Sequence, residues 1–258
     1  MVARHGVAVT IEGDRADLAT VTLDRPEQLN AQTPLTWAAL AETAAALPAS
    51  VRVVLVTAAG RAFSAGLDRA MFTPTGVAGA PTFPELAAME PAAADTEIAR
   101  YQAGFGWLAR PDLISIAAVQ GHAVGAGFQL ALACDLRIVA DDAQFSMAEV
   151  PLGLVPDLLG TRRLVELVGY TRAMEICLTG RRVGAAEALT LGLANRVVAR
   201  AELADAARAL AADVLAAPPA ATAELKPLLL AASNRSPDEQ AAAERAAQHR
   251  LLRRLAAG

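Results

Sequence analysis

The sequence predicts an α/β fold in which helices pack on a β-sheet and a mostly helical segment forms the C-terminal third. Short runs of β-branched residues alternate with alanine-rich stretches of helical spacing in the first part of the chain. From about residue 161 the pattern becomes mostly helical. Hydrophobic residues make up 54% of the 258 residues, enough to bury a sizeable core. This alternation is typical of helices layered on a sheet.

Turn residues separate the β-branched runs, which predict six strands. The strands span residues 7–11, 18–23, 51–57, 114–119, 136–140 and 196–199. Helical spacing predicts one helix over 35–47 and further helices over 161–168, 171–178, 185–191, 201–215, 220–232 and 237–255. Prolines and glycines are concentrated within residues 70–96, so this segment is predicted to form a mobile flap or irregular helices.

Composition and charge argue against several classes of function. A net charge of −4 leaves no broad basic face for nucleic acid. Two cysteines and three scattered histidines give no disulfide framework and no metal site, and a reducing cytoplasm is the expected location. The first residues lack the apolar stretch of a secretory signal. The apolar run 114–134 contains polar residues and three glycines, so we expect strand, turn and helix there rather than a membrane span.

Two glycine-rich turns follow predicted strands, at residues 57–68 and 120–130. The second leads directly into a helical stretch, whose unpaired N-terminal amides favour negative charge. Two such turns, if they converge, offer two N–H groups to one developing oxyanion. Spacing alone somewhat favours the alternative that both are ordinary tight turns. A dinucleotide fingerprint is excluded because Leu130 occupies its third glycine position, and the sequence contains no P-loop.

Two carboxylates lie in a loop rich in Gly, Pro and aliphatic residues. Glu149 precedes Asp157 by eight residues, with leucines and valines between them. Acids in apolar surroundings acquire raised pKa values and can transfer protons. The alternative is that each carboxylate only caps a helix.

Several blocks in the correct order give the chain a family resemblance. They include GRAFSAGLD at 60–68 and AAVQGHAVGAG at 117–127, with further matches at 23–31, 130–137, 143–146 and 178–194. Over nearly its whole length the sequence resembles the crotonase superfamily, which contains the enoyl-CoA hydratases and isomerases. The resemblance implies a spiral of ββα units over residues 1–195 that binds acyl-CoA, and a helical region over 196–258 that forms homotrimers or hexamers.

The resemblance also implies roles for individual residues. The backbone N–H groups of Leu67 and Ala126 correspond to the oxyanion hole, with alanine at a position that is usually glycine. The carbonyl of Ala65 falls where the family recognises the adenine of coenzyme A. Lys226 and, less securely, Arg25 are candidates for binding the CoA phosphates. Coenzyme A is part of the substrate, and no separate cofactor is expected.

The catalytic acids depart from the hydratase pattern. Hydratases of this family have two glutamates, at the positions of Gln129 and Glu149, and glutamine cannot titrate. Asp157 stands where hydratases usually have glycine. Dienoyl-CoA isomerases and aromatic dehalogenases have an aspartate at this position. We therefore expect double-bond isomerisation with Glu149 as the base and Asp157 as a second acid. Hydration with Gln129 orienting the water is the close rival. Reaction through an Asp157 ester and acyl-CoA binding without activity rank below these two.

Overall fold

Two β-sheets form the centre of the protein. The computed structural model describes residues 4–13 and 16–257. The large sheet has the order β1-β2-β3-β4-β6-β9, and a small sheet has the order β5-β7-β8. The strands are β1 Val7–Glu12, β2 Leu18–Leu23, β3 Val53–Ala58, β4 Ile114–Val119, β5 His122–Val124, β6 Leu136–Ala140, β7 Gln144–Ser146, β8 Val183–Gly184 and β9 Arg196–Val198.

Ten α-helices surround the sheets in the described part of the chain. They are α1 Pro34–Ala46, α2 Phe83–Ala87, α3 Pro91–Gly106, α4 Ala126–Ala133, α5 Gly160–Val168, α6 Tyr170–Thr179, α7 Ala185–Thr190, α8 Leu203–Ala216, α9 Pro219–Ala231 and α10 Pro237–Ala257. No helix among residues 4–13 and 16–257 combines the length and the apolar character needed to cross a bilayer.

Successive strand pairs follow the predicted spiral. In β4–β5 and again in β6–β7, the first strand joins the large sheet and the second joins the small sheet. A helix follows each pair, α4 after β5 and α5 after β7. The large sheet is parallel except for the β1–β2 pair. The predicted α/β spiral with a helical C-terminal region is confirmed.

Burial on both faces explains why the large-sheet strands were predictable. In β3, Val54 and Val56 face a core shared with α1, α3 and α4, whereas Val53 and Leu55 face α8. Strands covered on both faces are apolar at nearly every position. The small-sheet strands have only two or three residues each, too few for a recognisable pattern, and the sequence-based prediction missed them.

The prediction for residues 70–96 holds only in part. Residues 69–87 form a short 3-10 helix and the five-residue α2, but Pro91 begins the regular 16-residue helix α3. Proline at the first helical position needs no backbone N–H and favours helix initiation. The prolines thus mark a helix start as well as a break.

The C-terminal segment contributes to the same core. Strand β9 pairs with β6, and α8 covers one face of the large sheet, so residues after the predicted boundary at 195 complete the sheet. Beyond them, α9 and α10 border a groove of about 670 Å³. The predicted trimer or hexamer stays a prediction.

A buried ion pair attaches α9 to the core. Lys226, the only lysine in the sequence, is 4% exposed. Its Nζ donates hydrogen bonds to Asp135 Oδ2 at 2.7 Å, to the Leu113 carbonyl at 2.8 Å and to the Leu108 carbonyl at 3.1 Å. All three ammonium hydrogens therefore have acceptors, which offsets the cost of burying the charge.

Replacing Lys226 by alanine should destabilise the fold by about 3 kcal/mol, because it leaves a buried carboxylate without its counter-charge. Urea unfolding followed by circular dichroism measures the change. The matched control is Arg208→Ala, which breaks the exposed Arg208–Glu12 ion pair and should cost no more than about 1 kcal/mol. Equal losses in the two variants would contradict a structural role for the buried pair.

Candidate active site

One cavity of about 620 Å³ brings together five of the residues singled out in the sequence. Leu67, Ala126, Gln129, Glu149 and Asp157 all line it. The remaining wall is apolar, and four of the ten aromatic residues of the chain contribute to it: Trp37, Phe72, Phe83 and Tyr101. Such a cavity, mostly apolar with a few polar groups, has the form of a small-molecule site.

The two glycine-rich turns meet along their backbones. Gly66 has φ +88°, and a Cβ there would lie 2.6 Å from the Val124 carbonyl oxygen. A Cβ on Gly127 would lie 2.6 Å from the Cβ of Ser64. The main chains approach this closely because neither glycine carries a side chain. The contact places Leu67 and Ala126 on the wall of the same cavity.

Each turn contains a cavity-lining residue whose backbone N–H is free. Gln32 pairs with the Gly66 carbonyl and with the Asp68 N–H, on either side of Leu67. Ala126 is the first residue of α4, where an N–H has no intrahelical acceptor. Among the described residues, neither the Leu67 nor the Ala126 N–H has a hydrogen-bond partner. The cavity thus contains two unused main-chain donors.

Glu149 presents one free carboxylate oxygen. Its Oε1 accepts a hydrogen bond of 2.7 Å from Gln129 Nε2, whereas its Oε2 is buried without a partner in the described part of the chain. Burial raises the pKa of Glu149, and the charge of Asp157 acts in the same direction, against the smaller effect of hydrogen bonds that include the one from Gln129. A carboxyl with a raised pKa can accept and release a proton near neutral pH.

Gln129 is held at both ends of its amide. Its Oε1 accepts hydrogen bonds from the backbone N–H groups of Leu158 at 2.9 Å and Gly160 at 3.2 Å. The amide NH₂ therefore points to Glu149. Gly160 must be small, because a Cβ there would lie 2.7 Å from the Cγ of Gln129. The side chain connects α4, the Glu149 segment and the start of α5.

Asp157 lines the same cavity from an exposed position. Desolvation by the surrounding protein raises its pKa. Its backbone carbonyl accepts a hydrogen bond of 2.8 Å from Gln102 Nε2 of α3, which fixes the loop. Neither carboxylate is a side-chain helix cap: α5 begins after Leu159 without one, and the Glu149 side chain does not cap the 3-10 turn that follows it.

Comparison with known proteins agrees with this geometry. The sequence profile of the enoyl-CoA hydratase/isomerase family matches residues 13–256. The chain belongs to the enoyl-CoA hydratase/isomerase family. Membership of the crotonase superfamily, predicted from the motifs, is confirmed.

Relatives and solved structures extend the comparison. Carnitinyl-CoA dehydratase of Shigella flexneri is 42% identical over 180 residues, which cover 68% of this chain but only 62% of that protein. A crystal structure from Thermobifida fusca YX in complex with acetoacetyl-CoA superposes with a TM-score of 0.91 at 52% identity, covering 98% of this chain and 96% of that one. An enoyl-CoA hydratase structure from Mycobacterium smegmatis superposes with a TM-score of 0.81 at 30% identity, covering 95% of this chain and 90% of that one.

Ala65, Arg25 and Lys226, which were predicted to bind coenzyme A, do not line the cavity of this protein. Ala65 is half-buried in the first turn, and its N–H donates to the Leu29 carbonyl. The half-buried Arg25 donates to the Ala31 carbonyl and to Asp68. Lys226 requires a correction: it is buried beneath α9 with all its hydrogens bonded, so it has none left for a CoA phosphate.

Among the described residues, no group of three His, Cys, Asp or Glu side chains could hold a metal ion.

Tyr101 is a cavity residue that no sequence pattern marked, because an aromatic residue at helical spacing looks the same whether it faces a core or a pocket.

Replacing Gln129 by methionine should raise the pKa of Glu149 further, because the amide hydrogen bond favours the carboxylate. The acidic limb of the profile of kcat/KM against pH for an enoyl-CoA substrate should therefore move to higher pH. The control is Gln248→Met, an exposed residue of α10, which should leave the limb in place. A limb that stays put or moves to lower pH in Gln129→Met would contradict the assignment.

Proposed function

We propose that the protein shifts the double bond of an enoyl-CoA thioester through an oxyanion-stabilised enolate, with Glu149 as the acid–base group. One observation carries the proposal: two free main-chain N–H groups share a cavity with a carboxylate that has a raised pKa and one unpartnered oxygen. The acetoacetyl-CoA bound to the relative from Thermobifida fusca supports a CoA thioester as the ligand class.

The two N–H groups suit the charge that this reaction creates. Removing a proton next to a thioester carbonyl moves negative charge onto its oxygen. Donation from Leu67 and Ala126 would stabilise that oxygen, and loss of one such donor typically lowers the rate by about 10²–10³. Ala126 also begins α4, so the helix dipole favours the same charge. The methyl group of Ala126 does not remove its N–H.

Glu149 would carry the proton between carbon atoms. Its Oε2 removes a proton from C2 of a 3-enoyl thioester, the electrons spread into a dienolate, and the same proton returns to C4 to give the 2-enoyl thioester. The step needs no oxidant, no water and no separate cofactor, because coenzyme A arrives with the substrate. The apolar wall would limit the access of water to the carboxyl. Asp157, whose pKa is also raised, lies in the same cavity as a second acid.

Hydration of a 2-enoyl-CoA is the second candidate. The relatives named enoyl-CoA hydratase and carnitinyl-CoA dehydratase favour it. Water addition needs a group that orients the water, and Gln129 has one amide hydrogen beyond the one given to Glu149. Its amide oxygen, however, already accepts two backbone N–H groups. Isomerisation uses only groups that are free, and we therefore rank it first.

Rates with 3-enoyl-, 2-enoyl- and dienoyl-CoA substrates distinguish the candidates. Isomerisation predicts conversion of 3-enoyl-CoA to the conjugated thioester faster than any addition of water, with products separated by chromatography. Faster formation of 3-hydroxyacyl-CoA from 2-enoyl-CoA would establish the hydratase instead. If the protein binds thioesters but turns over none of these substrates, it is an acyl-CoA-binding protein without catalytic activity.

The substitution Glu149→Gln should lower kcat by about 10²–10⁴ while leaving the Kd of a saturated acyl-CoA nearly unchanged, because it removes proton transfer and keeps the shape. Stopped-flow turnover and calorimetric binding measure the two quantities. Glu202→Gln, at an exposed glutamate away from the cavity, is the matched control. Full activity in Glu149→Gln would exclude this carboxyl as the proton carrier.

A further inference from the structure

Tyr101 is a buried residue of the cavity with an unused hydroxyl. It lies on α3 and is 6% exposed, with its ring centroid 5.0 Å from that of Trp37. Its hydroxyl oxygen makes no hydrogen bond to any described residue. Within residues 4–13 and 16–257, only one other buried side-chain polar atom shares this condition, Glu149 Oε2 in the same cavity. Buried hydroxyls almost always have partners, so a missing partner points to a ligand.

Neither nearby carboxylate makes a hydrogen bond of acceptable geometry to that oxygen. Glu97, one turn earlier on α3, accepts a hydrogen bond of 2.7 Å from Arg100. Asp157 lines the same cavity, on a loop held to α3 by Gln102. Burial raises the pKa of Tyr101, and the charge of Glu97, its polar contact with the hydroxyl and the charge of Asp157 act in the same direction. The phenol is therefore neutral at physiological pH and able to donate.

The lining of the cavity limits which ligand group this donor can meet. Most of the wall is hydrocarbon or aromatic, including Leu86 and Ile98, and none of the basic side chains that the structure describes lines it. An acyl chain with a terminal carboxylate would find no counter-charge and two acidic neighbours. A plain alkyl chain would leave the phenol unpaired. A hydroxyl group both accepts from the phenol and donates to a carboxylate.

We propose that Tyr101 is a specificity-determining residue that selects acyl groups bearing a hydroxyl beyond the reacting carbons. Tyr101 donates to the hydroxyl oxygen of the acyl chain, and Asp157 accepts the hydroxyl hydrogen. The proposal rests on the proposed function only in taking an acyl-CoA as the ligand. It predicts a preference for hydroxylated over unsubstituted acyl chains of equal length.

Calorimetric binding tests the preference without turnover. The probes are saturated acyl-CoA thioesters with a hydroxyl at C5 or C6, which have no double bond to shift, and the unsubstituted thioesters of the same lengths. At least one hydroxylated probe should bind the wild-type protein about tenfold more tightly than its parent. Tyr101→Phe keeps the ring against Trp37 and should abolish this preference, with the Kd of the parent changed less than about twofold.

Tyr170→Phe is the matched control. Tyr170 is the only other tyrosine and is 67% exposed, and its loss should leave the preference intact. The proposal is overturned if no hydroxylated probe binds the wild-type protein more tightly than its parent, or if Tyr101→Phe weakens both ligands equally. Failure of the proposed function would look different: 3-enoyl-CoA would not be isomerised, while selective binding of the hydroxylated probe would persist.

Discussion

The backbone contact between the two glycine-rich turns is the constraint on which the site depends. Gly66 against Val124 and Gly127 against Ser64 allow two loops from different turns of the spiral to approach within van der Waals distance. Any side chain at either glycine would separate the loops. Because the free N–H groups belong to the residues next to these glycines, the separation of the two donors is fixed by main-chain packing. The rotamers of the Leu67 and Ala126 side chains do not affect this separation.

Gln129 determines which oxygen of the Glu149 carboxylate is hydrogen-bonded. Its amide oxygen is occupied by two backbone N–H groups, which turns the amide nitrogen toward Glu149 and leaves that carboxylate with one satisfied and one free oxygen. A glutamate in this place would bring a second negative charge against a partly desolvated first one. The glutamine therefore gives a single titrating group at the centre of the cavity, with Asp157 further out on the loop.

The sequence predicted the elements whose pattern is local. Strands covered on both faces are apolar throughout, and the two turns carried motifs that led to Leu67, Ala126 and Gln129, whereas Glu149 was marked by its apolar loop. What it could not supply depends on residues distant along the chain. Lys226 was predicted to bind a CoA phosphate because its actual acceptors, on residues 108, 113 and 135, are distant in sequence. Likewise, nothing local distinguishes Tyr101 from a core aromatic, since the cavity wall is assembled from separate segments.

The buried lysine has a chemical consequence for a protein of this family. Thioesters transfer their acyl group to unprotonated primary amines, and lysine side chains are the usual acceptors on protein surfaces. Here the sole lysine is enclosed, and the other 22 basic side chains counted as Lys or Arg are arginines, whose guanidinium groups stay protonated. The arginines thus supply positive charge without offering a lysine nucleophile for stray acylation by a thioester.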